Sequence, residues 1–273
     1  MYIVVDLDGT VYRGERAIPG AVQGLRMLAE HGHRCVFVTN NSLEPGAAYV
    51  RKLRRLGVEL EPDQLLTAGE ALSTRLLEAF GADAAVYPAG SVAMREQIAA
   101  AGLRLVDDHR DAHVVALGWD RDFTYAKLDA ICAARWSGIP VFATNPDPTC
   151  PLVDGEVPDC GALIAAIETA TGRPVEEVVG KPSPRMIELA LARFGGLLDE
   201  CWVVGDRLET DVRMALDSDV SSALVLSGAT TAAAVRAADV TPTMVCDDLY
   251  QFASLVTTGR APARQRHDQV ADR

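Results

Sequence analysis

Residues 2–12 read Tyr2-Ile-Val-Val-Asp6-Leu-Asp8-Gly9-Thr-Val-Tyr12, and this stretch decides the fold. It opens with a β-branched and aromatic run, Tyr2 to Val5, the pattern of a strand buried on both faces. The strand then delivers two carboxylates, Asp6 and Asp8, ahead of Gly9. Side chains alternate along a strand, so positions i and i+2 face the same way. Both carboxylates are therefore expected at the strand's C-terminal end, where open α/β sheets bind ligands. Two carboxylates so close repel each other. Either one is protonated or a cation sits between them. Mg²⁺ is the usual hard cation where a phosphate is also bound. Asp and Gly are also ordinary turn residues, so the rest of the chain must decide.

The pattern continues as β-α-β-α. Pro19-Gly20 opens a helix over roughly 20–30, and a second buried strand runs from Arg34 to Val38. It ends in Thr39-Asn40-Asn41-Ser42. Pro45 starts another helix, closed by Gly57, and a further helix is expected near 69–80. A second block has its own alternation: strand 84–87, helix 91–101, strand 113–117, helix 124–137 and strand 140–143. Residues 144–159, rich in Pro, Asp, Asn and Gly, read as irregular, and a helix follows at 161–171. The first pattern then returns with a helix at 184–194, a strand from Cys201 to Val204, the run Gly205-Asp206-Arg207-Leu-Glu-Thr-Asp211 and a helix to about 217. A strand at 223–226 and helices at 231–238 and 247–256 complete it. The spacing predicts a doubly wound parallel-sheet α/β domain, residues 1–80 and 175–258, with a second α/β domain, 81–174, inserted in it. The last residues, 259–273, lack an apolar period and read as a flexible tail.

Composition bounds the function. The net charge of −12 argues against nucleic acid as a partner. It also means that an anionic substrate needs a local metal ion or cationic side chain. No apolar run approaches the roughly 18–20 residues of a membrane span, and an acidic residue at position 6 does not suit a signal peptide. The six cysteines form no C-x-x-C pair, so cytoplasmic free thiols are expected and a zinc cluster is not. Lysine is avoided: only Lys52, Lys127 and Lys181 stand among 26 basic residues.

Four polar clusters follow buried strands or open helices: Asp6/Asp8, Thr39/Asn40/Asn41, Lys181 and Asp206/Asp211. Parallel strands bring such clusters to one edge of one sheet. The chemistry they suit is phosphoryl transfer, with an ionised Asp attacking phosphorus and a second carboxylate moving protons. Neither a dinucleotide fingerprint nor a Walker loop is present. A phospho-Asp receiver module uses a similar acidic pocket, but the length, the insertion and the second acid at i+2 stand against it. A phosphotransferase or mutase on the same scaffold stays open.

Asp6-Leu-Asp-Gly-Thr, Thr39-Asn-Asn-Ser, Gly180-Lys-Pro-Ser and Gly205-Asp-Arg-Leu-Glu-Thr-Asp, in this order, resemble the four motifs of the haloacid dehalogenase superfamily phosphatases. The insertion between the second and third motifs is similar to the large α/β cap of their class IIA. The resemblance implies a Rossmann-like core, an EC 3.1.3-type phosphomonoester hydrolase, Mg²⁺ and an aspartyl-phosphate intermediate. It implies Asp6 as nucleophile and Asp8 as general acid/base. Mg²⁺ would be held by Asp6, the Asp8 backbone carbonyl and Asp206, supported by Asp211. Thr39, Asn40, Asn41 and Lys181 would hold the phosphoryl group, and a cap loop with Asn145 and Asp147 would face the leaving group. The partner expected is a small phosphorylated metabolite, with a homodimer through the cap. One departure is Asp219, which stands where relatives place a glycine to stop the helix.

Overall fold

The computed structural model describes residues 1–152 and 155–262. Its backbone divides into two compact units: residues 1–38, 51–65 and 187 onward, and residues 39–50 and 66–186.

The first unit is built on a sheet in the order Met244–Cys246, Ser221–Val225, Cys201–Gly205, Tyr2–Asp6, Arg34–Thr39 and Leu65–Thr67, the unit boundary falling inside each of the last two strands. Tyr2–Asp6 pairs in parallel with both Cys201–Gly205 and Arg34–Thr39. Ile3, Val4 and Val5 are wholly buried, as their apolar run predicts. Each such side chain contributes about 1.5–3 kcal/mol of hydrophobic stabilisation. Three strands run outward on one side of Tyr2–Asp6 in chain order, and two on the other. The order reverses between Tyr2–Asp6 and Cys201–Gly205, so these two strands flank the switch point where a ligand crevice opens in a doubly wound sheet.

The second unit holds a five-stranded sheet in the order Glu177–Val178, Val141–Ala143, Val114–Leu117, Ala85–Ala89 and Arg104–Leu105, all paired in parallel. Helices Tyr125–Trp136 and Cys160–Thr171 supply Ile131, Ala134, Ile164 and Ile167 to its core. The described residues form parallel sheets flanked by helices, and no described helix is long and apolar enough to cross a membrane.

The segment 144–159, expected to be irregular, instead carries an antiparallel ribbon of Thr149–Leu152 and Gly155–Pro158. Proline argues against a central strand, yet each strand of a two-stranded ribbon has an open edge, where a missing N–H costs nothing. The short strands Leu65–Thr67, Arg104–Leu105, Glu177–Val178 and Met244–Cys246 and the hairpin Tyr12–Arg13/Arg16–Ala17 are further additions. Two or three residues carry no readable period. Of the expected tail, residues 263–273 lie outside the described residues.

All six cysteines are free thiols. Burial pushes Cys35, Cys160 and Cys201 up to about 12, which removes the thiolate needed for reactivity. The lysines of the two units are each engaged. Lys52 Nζ lies 3.8 Å from the centre of the Tyr12 ring, and Lys127 Nζ donates to Asp120 Oδ2 at 2.6 Å.

Asp219 has the left-handed φ of 50° anticipated for it, and the Val220 N–H closes the helix end onto the Ala215 carbonyl at 2.9 Å. A side chain in this conformation costs roughly 1–2 kcal/mol for most residues and less for Asp. Asp219→Gly is expected to stabilise the chain by up to about 1 kcal/mol, read from the midpoint of urea unfolding. A loss of stability contradicts this assignment of strain.

Candidate active site

In the first unit, three acids converge at the switch point. Asp6 is the last residue of its strand and only 6 % exposed. Its Oδ2 accepts from the Thr10 hydroxyl at 3.2 Å. The chain then turns so tightly that the Leu7 carbonyl accepts from the N–H groups of Thr10, Val11 and Tyr12, with Gly9 at φ 88°. Asp8 therefore leaves the strand and is exposed, where its Oδ2 accepts from the Tyr12 hydroxyl at 3.1 Å.

Asp206 follows Cys201–Gly205 directly and is 2 % exposed. Its Oδ2 accepts from the Ala229 N–H at 2.5 Å, and its carbonyl accepts from the Thr230 N–H at 3.2 Å. Asp211, 1 % exposed, sits in a π-helical segment, Leu208–Val212, ahead of the short helix Arg213–Asp217. The helix expected after Asp211, to about 217, is present as Arg213–Asp217. The wider turn brings the Asp211 carboxylate back to accept from the Arg207 N–H at 3.1 Å. Such π-turns recur at functional sites.

One carboxylate oxygen each from Asp6, Asp206 and Asp211 lies within 4.8 Å of the others. The site is also built for close approach: a Cβ at Gly9 would stand 2.3 Å from Asp206 Oδ2, and one at Gly205 2.1 Å from Asp211 Cγ. Three buried carboxylates at this spacing repel one another, and a hard divalent cation with oxygen ligands neutralises them. The donor set fits such an ion. The Asp8 carboxylate is not part of the group.

The second unit brings together Asn40, Asn145, Asp147 and Lys181. Asn40 Oδ1 accepts from the Lys181 N–H at 2.8 Å, while its Nδ2 donates to the Lys181 carbonyl at 3.0 Å and to Asp147 Oδ2 at 2.7 Å. The Asn40 amide thus clamps the backbone of Lys181, whose side chain is buried at 3 % exposure. Gly180 is required beside it, since a Cβ there would stand 2.3 Å from the Thr144 carbonyl. Asn145 Nδ2 donates to Asp147 Oδ2 at 2.9 Å and to Asp159 Oδ1 at 3.2 Å. Thr39 Oγ1 accepts from the Asn41 N–H at 3.1 Å, and Asn41 Oδ1 accepts from the Leu43 N–H at 3.0 Å. Thr39 and Asn41 therefore shape their own loop.

Asp159 and the segment Ser227-Gly228-Ala229-Thr230 were not singled out from sequence. Asp159 stands directly before the helix Cys160–Thr171 as an N-cap, a readable signal. The 227–230 segment acts through backbone N–H groups and carries no such mark.

Residues 3–104 match the profile of the haloacid dehalogenase-like hydrolases, and residues 178–252 match the HAD-hydrolase-like profile. Chronophin of Bos taurus is 38% identical over 240 residues, covering 83% of this chain and 81% of that protein. The crystal structure of 4-nitrophenylphosphatase from Thermotoga maritima is similar with a TM-score of 0.88 at 36% identity, covering 93% of this chain and 96% of that one. Glycerol phosphate phosphatase of Mycobacterium tuberculosis, solved in complex with magnesium, has a TM-score of 0.85 at 32% identity, covering 93% of this chain and 77% of that one. The motifs, the sheet order and these similarities agree: the chain is a phosphatase that belongs to the haloacid dehalogenase-like hydrolases, in their cap-bearing class IIA branch.

Proposed function

We propose that the chain is a Mg²⁺-dependent phosphomonoester hydrolase that works through an aspartyl phosphate on Asp6. The observation that carries this is the group of three buried carboxylates, Asp6, Asp206 and Asp211, at the switch point of the sheet.

Asp6, oriented by the Thr10 hydroxyl, attacks phosphorus as the bond to the leaving oxygen breaks. Asp8 gives that oxygen a proton. In the second half Asp8 takes a proton from water as the water attacks the acyl phosphate, releasing phosphate and restoring Asp6. The exposure of Asp8 and its bond to the Tyr12 hydroxyl support this role, since a proton carrier must reach both leaving group and water. Asp6 and Asp206, with Asp211 beside them, would hold Mg²⁺, together with the Asp8 carbonyl. When bound, the ion supplies charge neutralisation for the phosphoryl oxygens.

In this reading Lys181 and the Thr39 and Asn41 loop hold the phosphoryl group. Asn40 was expected to share that task. Its amide is committed to the Lys181 backbone, so its role is to position Lys181. Asn145 and Asp147, bonded to each other, belong to the cap, 81–174, and face the leaving group. The substrate is a small phosphorylated metabolite, a class that fits the glycerol phosphate named for one relative. The six free thiols suit a reducing, cytoplasmic setting.

Asp6→Asn is expected to abolish phosphate release from a panel of phosphomonoesters, and EDTA to do the same to the unaltered chain. Full activity in Asp6→Asn sinks the assigned nucleophile. Asn40→Ala is expected to lower kcat about 10- to 100-fold, as misplacement of a charge-stabilising group does. Unchanged kcat in that variant shows that Lys181 needs no clamp.

A further inference from the structure

Arg13 stands outside every role given so far, yet it makes two bonds across the first unit. Its Nη2 donates to the Ser227 carbonyl at 2.7 Å and to the Gly228 carbonyl at 2.8 Å. Arg13 is carried by the hairpin Tyr12–Arg13/Arg16–Ala17, which begins as soon as the Asp6-to-Tyr12 turn is closed. The segment it grips is bound to the same turn at a second point: the Ser227 hydroxyl donates to the Gly9 carbonyl at 2.8 Å.

The gripped segment is the one that holds Asp206. The Ala229 N–H binds the Asp206 carboxylate and the Thr230 N–H binds its carbonyl. A Cβ at Gly228 would lie 1.9 Å from Asp206 Oδ2, so the backbone there lies against the carboxylate. A shift of a few tenths of an ångström in this segment therefore moves Asp206. One guanidinium thus binds the carbonyls of Ser227 and Gly228, while the next two N–H groups, of Ala229 and Thr230, bind Asp206.

We infer that Arg13, with Ser227, latches residues 227–230 to the nucleophile turn and is a positioning residue for the metal-binding carboxylate of Asp206. The inference rests on the metal-dependent reading above. Partners that orient a metal ligand are worth about 10- to 100-fold in metal affinity. Arg13 is exposed, so its replacement leaves the core intact.

The test is a Mg²⁺ titration of the full chain, read twice: from the thermal unfolding midpoint without substrate, and from hydrolysis of 4-nitrophenyl phosphate. Arg13→Ala is expected to need about tenfold more Mg²⁺ in both readouts, with its metal-free unfolding midpoint unchanged. Ser227→Ala is expected to shift in the same direction. Arg13→Lys is expected to recover most of the affinity, because an ammonium also donates to both carbonyls. The same Mg²⁺ dependence in Arg13→Ala as in the unaltered chain overturns the latch alone. An unaltered chain whose midpoint ignores Mg²⁺ overturns the metal reading and the latch with it.

Discussion

Repulsion among Asp6, Asp206 and Asp211 is the constraint on which the first unit depends. Three buried carboxylates do not gather unless something holds each in place and something neutralises them together. Each is held by a different device: the Thr10 hydroxyl, the Ala229 N–H and the Arg207 N–H. Glycines at 9, 205 and 228 let backbone and carboxylate come closer than any Cβ allows. The sheet sets the direction, since Asp6 ends one strand and Asp206 follows its neighbour across the switch point. In the proposed reading, a divalent cation would neutralise the charge gathered there.

The second unit solves a different problem, the burial of a cation. Lys181 is almost without solvent contact, and its backbone is fixed on both polar atoms by one asparagine. Asp147 and Asp159 extend that network through Asn145, so a loop acid and a helix N-cap share a partner, and Asp147 also accepts from Asn40. Buried polar networks of this kind are stable only when their members are satisfied, and they fix geometry in return.

The legible parts of this chain were those with a period or a charge. Tyr2 to Val5 announced a buried central strand, and three of the acids singled out, Asp6, Asp206 and Asp211, lie together at its end. Asp219 could be placed in left-handed backbone because a helix must stop there and Asp tolerates it. The ribbon at Thr149–Leu152 was hidden by its prolines, and strands of two or three residues by their length. That the Asn40 amide meets the Lys181 backbone could not be read from sequence, because residue type does not reveal which atoms an amide faces. Ser227 to Thr230 left no sign at all: its contribution is made by N–H groups that every residue but proline possesses.

The central claim is that Asp6 carries the phosphoryl group. Rapid acid quench during turnover of a phosphomonoester, followed by borohydride reduction and peptide mass spectrometry, tests it directly. An acyl phosphate on Asp6 is reduced to homoserine at position 6, and that mass change, with Asp8 unaltered, is the result the account predicts. Reduction at Asp8 in place of Asp6, or steady turnover with no reducible acyl phosphate in the chain, contradicts it.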